Sequence, residues 1–191
     1  MLKFIQQKLY EFGRLELIQR PLFRQLSVRD RESILHLKAK PVAILEISPE
    51  QLVCENRPPF DMVTFLEQIN GERGLSLRHL HLYPILKDYH DYGLEHVRIR
   101  FESYGFHEFQ KFRAEIYGLE SNEDYFWSRF LRAKTTFDSI RDQGYLSGPF
   151  RGHYILVHEL GSTYEILSGH HRATALLVLG VRTFPVMRVV L

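Results

Sequence analysis

A serine, a glycine, two histidines and an arginine stand in immediate succession at Ser168-Gly169-His170-His171-Arg172, and their types and order suit them to hold an anion. The first four backbone N–H groups of any helix lack an intrahelical acceptor, and the helix dipole adds partial positive charge at the same end. A helix opening at this run would therefore turn its amides toward a phosphate. Gly169 has no Cβ, which permits an unusual dihedral and lets a ligand approach the main chain. Ser168 is placed either to cap the helix or to donate to a phosphate oxygen. Arg172, in the first turn, leans back toward the N-terminus and offers a planar fork of donors. Charge-assisted bonds to such a group contribute about 1.5 to 3 kcal/mol each, against roughly 0.3 to 1 for the dipole, rising to ~2 when partly buried.

His170 and His171 are adjacent, so on a helix they point about 100° apart and do not chelate one metal from a shared face. The spacing predicts two roles. One ring contacts phosphate or transfers a proton near neutral pH, and the other packs or donates to backbone. On spacing alone, an ordinary cap flanked by surface side chains is an equally good reading.

The elements around this run are legible. Tyr154 to His158, a Gly161-Ser162 turn and Tyr164 to Leu167 read as a hairpin. A helix over about His170 to Leu179 follows, Gly180 stops it, and Thr183 to Val190 forms a last strand with Pro185 near its start. Upstream, Ser121 with Asp124 three residues on predicts a cap, and Phe126, Phe130, Ala133, Phe137 and Ile140 form one apolar stripe ending at Gly144. Arg129, Arg132, Lys134 and Arg141 occupy the other face, read as solvated with phosphate contact as the minor alternative.

Earlier in the chain, Phe4, Ile5, Leu9, Phe12 and Leu15 predict an amphipathic arm that ends near Pro21. After a charged stretch, Pro41 to Ile47 predicts the first core strand, terminated by Ser48-Pro49. Asp61 predicts the cap of a helix carrying Val63, Leu66 and Ile69, stopped by Gly71. From about Gly74 to Gly118 the chain is rich in tyrosine and histidine and broken by Pro84, Gly93 and Gly105, which predicts short helices and loops. His79 and His81 alternate there like strand residues, a pair without a third ligand for zinc. The domain reading is a helical arm over 1–40 and one domain over 41–191 with an aromatic-rich helical insertion at about 74–120.

With 191 residues, 45% hydrophobic and 25% charged, the chain is long enough to bury a core. A formal charge of +2 is too small to imply a nucleic-acid partner by itself, although basic residues crowd the first thirty positions. No run approaches the ~18 apolar residues of a transmembrane helix, and the N-terminus lacks a signal-peptide pattern. A single cysteine, Cys54, precludes an internal disulfide, so a cytoplasmic location is expected.

Tyr164-Glu165-Ile166-Leu167-Ser168-Gly169-His170-His171-Arg172-Ala173, then Leu176, Leu179, Gly180 and Pro185-Val186, resembles the ParB-like and sulfiredoxin-like superfamily. Phe137 to Gly144 matches the helix that precedes its hairpin, and Val42 to Leu52 its first strand. The resemblance covers residues 126 to 191 best and implies an α+β fold with a small mixed sheet and flanking helices. In it, the Gly-His-His-Arg turn holds the phosphates of a nucleotide such as ATP, ADP or CTP. Sulfiredoxin-type relatives place a catalytic cysteine where this chain has His170, so sulfinic acid reduction is not expected. Partition-type relatives continue into a helix-turn-helix, whereas this chain stops at Leu191, so partition is not expected either. Kinase-type relatives carry Asp-Gly-His-His-Arg and a glutamate base; here Ser168 replaces the aspartate, and Glu46 or Glu50, less so Glu165, are the positional candidates for the base. Phosphoryl transfer would also want a divalent metal such as Mg²⁺. The leading expectation is thus a nucleotide-dependent kinase or nucleotidase using His171 and Glu46. The alternatives are a non-catalytic nucleotide sensor or adaptor and, third, a DNA-binding or nuclease-like protein.

Overall fold

The computed structural model describes residue 22 and residues 26–54, 76–119, 122–147 and 153–191. The expected arm over 2–20, the helix expected from Asp61 and the Ser121 cap lie outside the described residues. The described chain is α+β, with a five-stranded mixed sheet and six α-helices.

Helix α1, Val28–His36, precedes strand β1, Lys40–Ile47, and β2, Leu52–Cys54. Ser48 caps the single turn Pro49–Gln51 between them, its Oγ accepting from the Glu50 amide. Helices α2, Leu82–Tyr92, α3, Leu94–Ile99, and α4, Gly105–Tyr117, fill the insertion. The long α5, Glu123–Gln143, leads to the hairpin β3, Ile155–Leu160, and β4, Thr163–Ser168. The chain closes with α6, His170–Val178, and β5, Phe184–Val190.

The sheet order is β1-β5-β3-β4-β2. β1 lies antiparallel to β5, β5 parallel to β3, β3 antiparallel to β4, and β4 parallel to β2. Strand alternation divides the sheet residues between two apolar layers, as a period of two requires. Ile155, Val157, Ile166, Phe184 and Val186 face the helices α2 to α6, while Leu156, Leu167, Met187 and Val189 pack with Leu26 and Ile34 of the α1 region. The charged stretch before β1 thus supplies a helix that covers the second face.

The apolar stripe expected on α5 is observed, with Phe126, Phe130, Ala133, Phe137 and Ile140 all buried. At its start Asn122 accepts from the Tyr125 amide at 2.8 Å. An asparagine oxygen on a first-turn amide satisfies one of the donors that a helix start leaves free. The insertion is bolted to α5 by polar contacts as well as rings. Tyr89 donates to Asp138 at 2.8 Å, and buried His107 lies 2.6 Å from Glu123. Phe130 sits at the meeting of Tyr89, Phe101, Phe106 and Trp127. His79 and His81 do not lie on a strand. They belong to the turn Leu77–His79 and the residue before α2, where Pro84 falls in the first turn and favours helix.

Replacing Phe130 with alanine removes the ring on which four aromatic side chains converge. We expect Phe130→Ala to cost about 3–5 kcal/mol in urea unfolding.

Candidate functional site

The β4–α6 junction places every residue of the expected turn. Ser168 ends β4 opposite Leu156, Gly169 takes φ +105°, and α6 begins at His170. The Gly169 carbonyl accepts from the Ala173 amide at 2.9 Å, closing the first helical turn. Among the described residues no side chain caps this helix. Ser168 therefore does not act as its cap, and the first-turn amides keep their donors for another acceptor.

The glycine is a steric requirement as well as a conformational one. A Cβ there would lie 3.0 Å from Arg172 Nη2, 3.1 Å from Ile155 Cγ1 and 3.3 Å from Ile155 Cα. Arg172 is drawn back over the glycine because its Nη1 donates to the His153 carbonyl just before β3. Tyr145 donates to the same carbonyl at 3.1 Å and accepts from the Ile155 amide at 3.0 Å. Burial lowers the Arg172 pKa from its ordinary value, opposed by Tyr145 and the Asp30 carboxylate and reinforced by Arg29.

Asp30 comes from α1, far away in sequence. It is buried, and its Oδ2 accepts from the Tyr154 amide at 3.1 Å. Ser27 caps α1 by accepting from the Asp30 amide at 3.1 Å and stands 2.5 Å from His153 Nδ1. The His153 ring also lines the cleft in front of α6. Burial lowers the His153 pKa, and Arg172 and Arg29 add to that effect while Asp30 opposes it.

These groups line a cleft of about 570 Å³ in front of α6. Arg29, Asp30 and Ser33 of α1 form one side, Thr135, Thr136, Ser139 and Gln143 of α5 another, and Ser168 to Arg172 the floor. His170 and His171 both lie at its back and also line a second, smaller cavity described below. Burial pushes the pKa of each down to about 4, with nearby cationic groups adding to the effect at His171. Both rings are therefore neutral at physiological pH. A neutral ring at either position can accept a hydrogen bond or donate one, but carries no charge to an anion.

The glutamates are not brought into the cleft. The register pairs Glu46 with Pro185 and Ser168 with Leu156, so Glu46 shares the α6 end of the sheet. It nevertheless lies on the far edge strand, three strand spacings from β4, roughly 14 Å at the usual separation. Its side chain is exposed. Glu50 pairs with Arg78 at 2.6 Å, and Glu165 is buried mid-strand on β4. Neither lines the cleft. Among the described residues there is no cluster of three or more metal-ligating side chains.

Sequence reasoning missed Asp30, His153 and Tyr145. Ser27 with Asp30 three residues on is the same type of capping signal read at Ser121, and it marks α1; nothing local marks His153. Compared with family models, curated proteins and solved structures, the chain matches none. Among the described residues, no helix is long and apolar enough to cross a membrane.

Two outcomes follow from this geometry. Gly169→Ala should lower stability by about 1–3 kcal/mol in urea unfolding, because a side chain is strained at this φ and has no room. The histidines make stability pH-dependent. Between pH 6.5, where an unfolded histidine titrates, and about 4, where folded His170 and His171 titrate, the unfolded chain binds protons that the fold excludes. Stability is then lost as pH falls through that window, and His171→Gln should make the fall in Tm across it shallower.

Proposed function

We propose that this protein binds the phosphates of a nucleotide in the cleft at Ser168 to Arg172, as a member of the ParB-like and sulfiredoxin-like type. The observation that carries the reading is an uncapped helix N-terminus, entered through a left-handed glycine, that opens into a cleft with two arginines. The first-turn amides of α6 would receive one phosphate, the Ser168 hydroxyl would donate to it, and Arg172 and Arg29 would carry the charge. The hydroxyls of Ser33 and Ser139 and the amide of Gln143 offer contacts for the ribose or base.

ATP, ADP and CTP are the candidate ligands. Any Mg²⁺ would arrive held by phosphate oxygens and water, since Asp30, the one carboxylate among the described lining residues, already accepts from Tyr154. If a proton is moved, the His153 imidazole, which lines the cleft, is the candidate acceptor rather than Glu46, which does not line it. A nucleotide sensor without turnover is the alternative reading of the same cleft. The DNA-binding reading is weakened by the α5 face itself: Lys134 and Arg141 pair with Asp138, and Arg129 faces a cavity.

The test is a thermal-shift series with ATP, ADP and CTP, each with Mg²⁺, against wild type and Arg29→Ala. A nucleotide at a hundred times its Kd should stabilise the wild type by about 2.7 kcal/mol. Arg29 is exposed at the rim, so Arg29→Ala should leave the unliganded Tm alone and weaken binding about tenfold, as losing one charge-assisted contact implies. No shift with any of the three nucleotides refutes the reading. Binding with nucleotide hydrolysis or transfer selects the enzyme, and binding alone selects the sensor.

A further inference from the structure

On the other side of His170 and His171 lies the second cavity, of about 310 Å³, at the small end of ligand sites. The insertion builds most of it, with Leu80 and Leu82 around the start of α2 and Phe106 and Phe109 from α4. His81, between the two leucines, stacks on Phe109 with ring centroids 3.9 Å apart and planes 23° from parallel. That ring is thus already engaged within the fold, and Phe106 and the leucines are the apolar surfaces left to a ligand.

Set in this wall is an amide that the fold does not use. Gln110, one turn after Phe106 on α4, lines the cavity and is only 3% exposed, yet its side chain makes no hydrogen bond with any described residue. A buried carboxamide left unmet is costly, and native structures rarely leave one standing. His81 Nδ1 and His170 Nε2, in the same wall, are also buried without a partner among the described residues. Burial keeps both of those rings neutral. The unmet groups therefore call for hydrogen bonds rather than for a counter-charge.

We propose that this cavity binds a small neutral molecule carrying a carboxamide or lactam edge on an apolar, ring-sized body. The Gln110 carbonyl oxygen accepts from the N–H of that edge and the Gln110 NH₂ donates to its C=O, the paired bonds that two amides make with each other. The apolar body lies against Phe106, Leu80 and Leu82. An anion gains little there, because it is stripped of water against a neutral amide and an apolar wall, while Arg113 and Arg129 are half-exposed and keep contact with water. A cation meets the same loss and two guanidinium groups besides. The site stands independently of nucleotide binding in the cleft and shares only His170 and His171 with it.

Calorimetric titration of the full chain with benzamide, benzoate and benzamidine tests the proposal, since the three probes share a ring and a planar head and differ in charge. Benzamide should bind saturably and about tenfold more tightly than the anion or the cation. Gln110→Leu, close in size and without the amide, should weaken benzamide about tenfold, as losing a pair of hydrogen bonds implies. Gln110→Met follows the same unbranched chain and should do the same, which preserves the test if the leucine variant unfolds. The proposal is overturned if wild type shows no saturable benzamide binding, if benzoate or benzamidine binds as tightly, or if the folded Gln110 variants bind benzamide like wild type.

Discussion

The left-handed backbone at Gly169 is wedged between the Arg172 guanidinium and the backbone of Ile155, and most of the candidate site follows from that contact. The wedge holds only because Arg172 is anchored on the His153 carbonyl, shared with Tyr145. Tyr145 in turn holds the Ile155 amide, while Asp30 receives the Tyr154 amide. One helix start, one strand start and the first turn of α1 are thus joined by a few buried and part-buried polar contacts. There a hydrogen bond is stronger than in water, and an unmet polar group costs more.

Burial also sets the electrostatics at the two histidines. His170 and His171 form a partition between two cavities, and burial keeps both rings neutral. Positive charge comes from arginines instead, with Arg29 and Arg172 on one side and Arg113 and Arg129 on the other. Arginine keeps its charge through such desolvation where histidine gives it up, because its ordinary pKa lies so much higher. A neutral imidazole beside an anion still donates one hydrogen bond, and the anion itself would draw its pKa upward.

Much of this was legible before any tertiary contact. The hairpin, the Gly161-Ser162 turn, the helix from His170 and the strand ending at Val190 all rest on local signals: alternation, a tight turn, and glycines at 169 and 180 with positive φ. The α5 stripe is equally local. Misreadings arose where two local signals compete or where distance in sequence is large. His79 and His81 alternate as strand residues do, but the turn and Pro84 start a helix there. Glu46 sits at the correct end of the sheet, and only the strand order puts it three strands from the turn.

The sequence by itself determined that a glycine and a helix start would meet at residue 169 and leave amides to be satisfied, because those are properties of a few consecutive residues. It also determined the alternating faces of β3 and β5, since pleating assigns sides without knowledge of partners. Only the tertiary structure decided that Asp30 and His153 join the turn, with more than a hundred residues between them. Only the tertiary structure made the two histidines neutral, because desolvation depends on what packs around a ring and not on its neighbours in the chain.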